Sequence, residues 1–217
     1  MTDFLADARD FLPILMSGLW ITIAITLCAL LMSVILGMVW ALLGMSRFAL
    51  ARGISRVVIN TVRGIPILVQ LFYIYFVLPQ LGITLNSFLA GVVGLGLAYS
   101  VYQAENFRAG FASVDRSLIE AAESLGMTHG TIVRRLILPL AIRVILPPLG
   151  NTSIMLLKDS SIASTITVAE LTRQGQLLAV STFKNMTVYT LVALLYLAMS
   201  LPLSLLTGRL ERKFALR

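Results

Sequence analysis

The stretch from Phe11 to Ser46, FLPILMSGLWITIAITLCALLMSVILGMVWALLGMS, contains 36 residues and no charged side chain. A helix needs only about 20 apolar residues to cross the hydrocarbon core of a bilayer, and it satisfies its own backbone hydrogen bonds there. The stretch is too long for one upright helix and too short for two helices with a turn. It therefore predicts one span, from about Met16 to Leu43, preceded by an interfacial turn at Pro13.

The 217-residue chain as a whole is also strongly apolar. Hydrophobic residues make up 58% and charged residues 12% of the sequence, and the mean hydropathy is +0.92, so lipid is the expected solvent for most of the chain. The net charge of +7 does not indicate a nucleic-acid partner, because the cations lie in short clusters between apolar blocks. One cysteine and one histidine provide neither a metal-ligand set nor a disulfide framework.

The remaining apolar blocks predict four further spans. Turn-forming residues around Pro79 and Asn86 divide an uncharged block of 41 residues into two of them. The fold class predicted is therefore all-α, a polytopic membrane protein with five transmembrane helices. Spans two and three lie within residues 64–104, span four covers about Leu146–Val168, and span five covers about Thr187–Gly208.

The basic residues alternate between rich and poor segments along the chain. The segments after spans one, three and five are rich in cations, whereas those after spans two and four are poor. The positive-inside rule then places the N-terminus outside and the C-terminus in the cytoplasm. The three rich segments contain Arg47, Arg52, Arg56 and Arg63; Arg108, Arg116, Arg134, Arg135 and Arg143; and Arg209, Arg212, Lys213 and Arg217.

The long segment after span three carries acidic residues as well as arginines. A topology signal or a lipid anchor needs only cations, so the acids favour a folded element that contacts a protein partner. Ser117 and Glu120 fit a capping box at the start of a helix, and Gly126 is suited to end that helix in a left-handed conformation. Thr128 or Thr131 is expected to cap a second helix.

Prolines follow within and beyond this second helix. Pro139 and the pair Pro147 and Pro148 are expected to disturb it, because proline lacks the amide hydrogen that a helix interior needs. The segment is thus predicted to form a short helix, a sharp turn and a second helix on the cytoplasmic surface.

This segment contains EAAESLG, from Glu120 to Gly126, followed nine residues later by LILP, which ends at Pro139. It resembles the EAA loop of permease subunits of ATP-binding-cassette importers, and it departs from the family pattern only in placing Leu136 where an isoleucine is usual. Further blocks resemble the polar amino-acid branch of that family, so that the resemblance covers nearly the whole chain. These blocks are 63–70 (RGIPILVQ), 98–108 (AYSVYQAENFR) and 156–161 (LLKDSS).

The resemblance implies that the EAA helix sits in a cleft of a separate ATPase, whose closure on ATP swings the spans between inward-open and outward-open states. The chain contains no phosphate-binding G-x-x-x-x-G-K-[ST] loop. We therefore expect no cofactor in this chain and no enzymatic activity of its own, with ATP and magnesium bound by the partner ATPase. Glu120 either caps its own helix or contacts the ATPase, and the two roles are compatible. The implied coupling residues are Glu120, Ala121, Ala122, Gly126, Leu138 and Pro139.

The resemblance further implies one permease domain of the type I importer class over residues 1–217, with the coupling loop at about 109–143. Five spans do not enclose a pathway with two equivalent halves, so a second permease is expected, either an identical copy or a paralogue. A dimeric ATPase, a periplasmic or extracellular amino-acid-binding protein and the bacterial cytoplasmic (inner) membrane complete the expected assembly.

Two charged residues, Lys158 and Asp159, lie inside predicted span four. Each costs roughly 2.5 to 3.5 kcal/mol at the centre of an inserting helix, so both should face protein or water, and neighbouring positions do not share one helix face. By resemblance, Asp159 pairs with the substrate ammonium, while Thr152, Ser160 and Tyr99 hydrogen-bond its polar atoms. A contact of Asp159 with Lys158 or with a partner subunit is the open alternative. Thr152 is neutral where some relatives with cationic substrates carry an acid, which weighs against an arginine-like substrate.

Other classes of membrane protein fit less well. An ion-coupled secondary transporter is the main alternative, but it needs no structured cytoplasmic loop and usually carries internal repeats. No channel filter and no intramembrane catalytic pair is recognisable. Gly91, Gly94 and Gly96 are expected to allow close helix packing rather than to bind a nucleotide.

Overall fold

The computed structural model describes the backbone of residues 2–214 and the side chains of residues 4–213. The described chain is helical almost throughout and contains no β-strand, so the all-α fold class is confirmed. Arg217, one of the predicted topology signals, lies outside the described residues. The helices are α1 (Thr2–Met45), α2 (Ala49–Gly64), α3 (Ile67–Phe72), α4 (Ser87–Ala112), α5 (Arg116–Ser124), α6 (His129–Ile132), α7 (Leu138–Asp159), α8 (Leu171–Thr182) and α9 (Asn185–Phe214).

Three of the described helices, α1, α4 and α9, are long and apolar enough to cross a membrane. Helices α2 and α3 meet at a bend of 101° and would provide a fourth span if taken as one broken helix. Helix α7 is not among these spans; it carries Arg143, Lys158 and Asp159, and it contains two internal prolines. These helices support a multi-pass membrane protein.

Helix α1 continues without a break through Pro13, so the predicted interfacial turn at this residue is wrong. Phe11 and Leu15, on either side of the proline, are buried in a cluster with residues of α8 and α9. This packing fixes the first turns of the helix, and one missing backbone hydrogen bond is tolerated where neighbouring helices support the chain.

The prolines of α7 also fail to interrupt their helix. The backbone is helical from His129 to Asp159, through a wider π-helical turn at Val133–Ile137. In that turn the amide of Leu138 bonds to the carbonyl of Val133, five residues back, immediately before Pro139. The helix is therefore disturbed directly before Pro139, by the wider turn. The disturbance expected at Pro147 and Pro148 is wrong, because α7 continues through both.

Helices α1 and α4 lie side by side and run in the same direction. They approach most closely where α4 has glycines. A methyl group added to Gly91 would lie 2.7 Å from Cδ1 of Ile25, and one added to Gly96 would lie 2.9 Å from Cγ of Met32. Gly94 faces α3 at similarly close range. The prediction that these glycines serve close helix packing is confirmed.

Helix α7 runs opposite to α4. Gly110, near the end of α4, packs on Ile145 in the first half of α7, whereas Tyr99 lies against Asp159 at the end of α7. Helix α9 begins beside the first turns of α1, with Leu191 in the buried cluster described above. Three long helices, α1, α4 and α9, therefore share one direction, and α7 has the other.

Candidate translocation and coupling sites

Polar side chains form a row between α4 and α7. The hydroxyl of Tyr99, a residue only 2% exposed, donates a hydrogen bond of 2.7 Å to Oδ2 of Asp159. Seven residues further along α4, Nδ2 of Asn106 donates to Oγ1 of Thr152 over 3.3 Å. Seven residues advance a helix by about 10 Å, so the two contacts occupy two levels of one apolar interface.

The carboxylate of Asp159, at the first level, has unused hydrogen-bond acceptor sites. Asp159 is the last residue of α7, it is partly exposed, and a 3₁₀ turn follows it at Ser160–Ile166. An ionised carboxylate accepts about four hydrogen bonds, whereas the described side chains supply one, from Tyr99. Lys158 is exposed, and no ion pair joins it to Asp159 among the described residues. The prediction that these neighbours point differently is confirmed.

Not every predicted pathway residue reaches this row. Ser160 is fully buried, and its hydroxyl donates over 2.7 Å to the carbonyl of Leu157 in the last turn of α7. Gln103 and Asn106 do lie on the row but were missed in the sequence. Oε1 of Gln103 accepts from Asn106 over 3.2 Å, and its Nε2 is buried without a partner in the described chain. The spacing of residues 99, 103 and 106 marks one helix face and would have identified both.

The predicted coupling segment begins differently from the sequence expectation. The N-cap of α5 is Asp115 instead of Ser117, and its Oδ1 accepts from the amide of Ser117 over 3.0 Å. This hydrogen bond holds the pKa of the Asp115 carboxyl below its usual value. The capping box is therefore wrong, because the aspartate starts the helix before Ser117. Glu120 does not cap the helix; Oε1 lies 3.1 Å from Nε of Arg116, and both side chains are exposed.

The end of α5 follows the sequence prediction. Gly126 has a φ of +77°, in the left-handed region. Its amide bonds to the carbonyl of Glu123 over 2.9 Å, and the amide of Met127 bonds to that of Ala122 over 3.1 Å. This pair of bonds is the Schellman motif that glycine favours. Thr128 then occupies the N-cap position of α6 but makes no capping hydrogen bond. Its hydroxyl instead bonds with the hydroxyl of Thr131 over 2.9 Å.

Helix α5 presents an apolar strip to solvent. Leu125 is 82% exposed and Leu118 is 46% exposed, and Ala121 is exposed beside them, whereas Ala122 is buried and faces inward. The sharp turn at Gly126 joins this strip to the continuous helix that becomes α7. Leu138 and Pro139 are exposed at the start of α7. A short helix with an exposed apolar strip is thus joined by one tight turn to the long helix that becomes α7.

A second carboxylate, that of Glu170, is fully buried at the start of α8. It caps α8 by accepting from the amides of Thr172 over 2.9 Å and Arg173 over 2.7 Å, and it accepts from the hydroxyl of Tyr196 over 2.8 Å. Thr22 of α1 lies 3.5 Å away and accepts from the amide at the start of α8. Glu170 therefore ties α8 to α1 and α9. It was not singled out in the sequence, where an isolated acid beside an apolar run gives no clear signal.

These features belong to a known class of protein. Residues 29–216 match the family described as the binding-protein-dependent transport system inner membrane component. Because this match covers most of the chain, the chain belongs to that family. It is a transmembrane permease subunit of the ABC importer type, in which a separate subunit hydrolyses ATP. Neither the comparisons nor the described residues support an ion-coupled transporter.

Individual relatives cover almost the whole chain. It is 37% identical to the L-cystine transport system permease protein TcyB of Bacillus subtilis (strain 168), over 94% of this chain and 88% of that protein. It is also 37% identical to the glutamine transport system permease protein GlnP of Escherichia coli (strain K12), over 93% of each. A chain in the crystal structure of an amino acid ABC transporter with histidines is 40% identical and matches with a TM-score of 0.90, over 98% of this chain and 99% of that one.

Proposed function

We propose that this chain is the membrane-spanning permease of a bacterial importer for a polar amino acid, residing in the cytoplasmic (inner) membrane. The similarity to permeases named for cystine and for glutamine supports an amino-acid substrate. One structural observation carries the proposal furthest, namely the row of polar groups between α4 and α7. It combines a single partly exposed carboxylate with neutral hydrogen-bonding groups.

This row suits an amino acid whose side chain is polar and uncharged. The free acceptor sites of Asp159 would bind the substrate ammonium, in the position that Tyr99 helps to define. The hydroxyl of Thr152 and the amide of Asn106 would bind a neutral polar side chain at the second level. A cationic side chain would need a second carboxylate, and the row contains none among its described members.

The arrangement of the helices supports five membrane crossings. Helices α1, α4 and α9 share one direction, so the chain must return once before α4 and once before α9. The segment 67–81 provides the first return and α7 provides the second. The N-terminus would then lie outside and the C-terminus in the cytoplasm, with α5 and the arginine-rich segments on the cytoplasmic side.

The permease would function within a larger assembly. A second permease, identical or paralogous, would complete the pathway, and a dimeric ATPase would bind ATP and magnesium. The strip on α5, together with Glu120, Ala121 and Gly126, would fit a cleft of that ATPase, and Leu138 and Pro139 would transmit the motion to α7. An amino-acid-binding protein would deliver the substrate from outside.

The experiment is to purify the permease with the ATPase and binding protein encoded beside it and to reconstitute the complex in liposomes. ATP hydrolysis is then measured with each of the common amino acids in turn. We expect stimulation by neutral polar amino acids and ATP-dependent uptake of the same compounds. No stimulation by any amino acid, or uptake that does not need ATP, would contradict the proposal.

A further inference from the structure

Helix α2 has three faces with different chemistry. Leu50, Ile54 and Val57 recur at the spacing of one helix face and are 78%, 48% and 65% exposed. Ser55 lies on a second face, where it is buried against α1 and donates to a backbone carbonyl of that helix. The third face carries the cations of the helix. The exposed arginines of this cationic face are Arg52, Arg56 and Arg63.

The apolar face and the cationic face lie on nearly opposite sides of α2. Successive residues of an α-helix are rotated by about 100°, so the centres of these two faces are roughly 150° apart. Residues 46–64 contain no acidic side chain, so the polar side of the helix is purely basic. A helix that lies in the surface of a membrane has this pattern, with its apolar side in lipid and its basic side toward water.

The axis of α2 lies across the direction of α4. The segment after α2 runs against α4, because Arg63 lies 3.8 Å from Glu105 whereas Leu71 packs on Gly94, earlier in α4. Helix α2 meets this segment at 101°. The side-chain amide of Gln70 caps the corner with two hydrogen bonds of 2.8 Å to backbone carbonyls. If α4 crosses the bilayer, α2 therefore lies nearly parallel to the membrane surface.

The two faces of α2 meet different levels of α4. Thr61 continues the apolar face and lines a cavity of about 240 Å³ in the corner, together with Val69 of α3 and Leu97 of α4. Arg63, on the cationic face, instead reaches Glu105. Leu97 and Glu105 are about 12 Å apart along the helix, and Leu97 is the nearer of the two to its middle. The apolar face is therefore on the side of the hydrocarbon core, and the cationic face is on the side of the water.

The surroundings of the apolar face favour lipid over a protein subunit as its occupant. Val69 and Tyr73, which line the same corner cavity, are 50% and 54% exposed, so the exposed apolar surface continues along a segment that is itself a candidate span. Three side chains on α2 are far fewer than the roughly 20 to 30 residues that each partner contributes to a standard protein interface. A soluble partner would meet the cationic face instead.

We propose that α2 is embedded in one leaflet of the membrane, with Leu50, Ile54 and Val57 in contact with lipid acyl chains. Helices of this kind bury their apolar face by roughly 5 to 10 Å at the boundary between headgroups and acyl chains. The cationic face then lies toward the headgroups and the water. The proposed topology makes this the cytoplasmic leaflet, whose anionic lipids attract arginine. The proposal requires α4 to cross the membrane and is independent of the transported substrate.

The test measures which solvent reaches each face of α2. The single cysteine of the chain is removed with Cys28→Ala, and one new cysteine at a time is spin-labelled in the permease, assembled with its ATPase in liposomes. Paramagnetic relaxation by oxygen, which concentrates in acyl chains, is compared with relaxation by a water-soluble nickel chelate. The apolar face is tested with Leu50→Cys, Ile54→Cys and Val57→Cys, and the opposite side with Arg56→Cys and Asn60→Cys.

We expect the ratio of oxygen to nickel accessibility to be at least about fivefold higher on the apolar face than at positions 56 and 60. Phospholipids spin-labelled on the headgroup or on the acyl chain calibrate this ratio. Access of the nickel chelate to positions 50, 54 and 57 would place the apolar face in water and overturn the proposal. Exclusion of both reagents from these positions would place the face against a protein subunit, which would also overturn it.

The design tolerates the loss of a single variant. If Ile54→Cys fails to assemble, Leu50→Cys and Val57→Cys report on the same face, and the calibrated ratio at these positions decides without the comparison to positions 56 and 60. None of these measurements depends on transport or on the identity of the substrate, so the proposed function can fail independently.

Discussion

Two carboxylates in this molecule accept a hydrogen bond from a tyrosine hydroxyl, yet their surroundings differ. Glu170 is fully buried and accepts from Tyr196 and from two backbone amides. Asp159 is partly exposed and accepts from Tyr99 alone among the described groups. A buried acid is stable only when its hydrogen-bonding capacity is used. A partly exposed acid with unused acceptors can bind a ligand.

The comparison separates a structural role from a functional one. Glu170 joins three helices at the start of α8, so its loss should affect folding first. Asp159 joins only α4 to α7, and its loss should affect substrate binding first. Both residues are acids beside apolar runs, and their sequence context alone does not distinguish the two roles.

The largest effect is expected for Glu170→Ala. A helix cap contributes about 1 kcal/mol, and each buried polar group left unpaired costs about 1 to 3 kcal/mol. We therefore expect the free energy of unfolding to fall by roughly 2 to 4 kcal/mol, measured by denaturant titration in detergent. Glu123→Ala, at an exposed glutamate of α5, is the matched control and should be nearly neutral. An unchanged stability for Glu170→Ala would contradict the structural role of this residue.

Asp159→Asn should reduce uptake with little effect on folding. A hydrogen bond to a charged group contributes about 1.5 to 3 kcal/mol, so ATP-driven uptake in liposomes at low substrate concentration should fall roughly 10- to 100-fold. The thermal midpoint of the purified complex should stay close to that of the wild type. Asp10→Asn, at an exposed acid of α1, controls for the change of charge. Normal uptake by Asp159→Asn would contradict the binding role.

Gly126→Val tests the turn that ends the predicted coupling helix α5, whereas Asp159→Asn tests the substrate pathway. A side chain in the left-handed region costs about 1 to 2 kcal/mol, so the turn after α5 should be displaced and the stimulation of ATP hydrolysis by substrate should fall about fivefold or more. Gly130→Val is a matched control, because both glycines border open space and only Gly126 has a positive φ. Equal stimulation in the two variants would remove the special role of this turn.

The smallest effects are expected for the two tyrosines that donate to these carboxylates, Tyr196 to Glu170 and Tyr99 to Asp159. Tyr196→Phe removes the hydroxyl that donates to Glu170 and also bonds with the hydroxyl of Thr172, and it should lower the free energy of unfolding by about 1 to 2 kcal/mol without changing uptake. Tyr99→Phe should instead weaken apparent substrate affinity by up to about fivefold. Measurement of uptake and unfolding for both variants tests the assignment, which fails if the two profiles are the same or reversed.

The general architecture could be predicted from the sequence, because membrane helices depend on composition over long windows. The apolar stretch before Ser46 forms a single long helix, and the glycines of α4 allow close packing, both as expected. Gly126 was also predictable, since a left-handed helix end favours glycine for a local reason. The family motif could be recognised from its residues and their spacing.

The sequence predictions that proved wrong, and the residue that was missed, have one cause in common. Pro13, Pro147 and Pro148 were expected to disturb their helices, yet α1 and α7 continue through them. Asp115 replaced Ser117 as the cap because the competing acceptor lay two residues earlier. Glu170 was missed because its partners come from α1 and α9, which are distant in sequence. In each case the outcome depended on contacts or competition beyond the local motif.

The most direct test of the central claim is accumulation of a polar amino acid in liposomes that contain this permease with or without its ATPase. If the chain is a permease with no energy source of its own, uphill accumulation will require the ATPase and internal ATP, and its rate at low substrate concentration will fall roughly 10- to 100-fold in Asp159→Asn. Accumulation against a gradient by the permease alone would contradict the account.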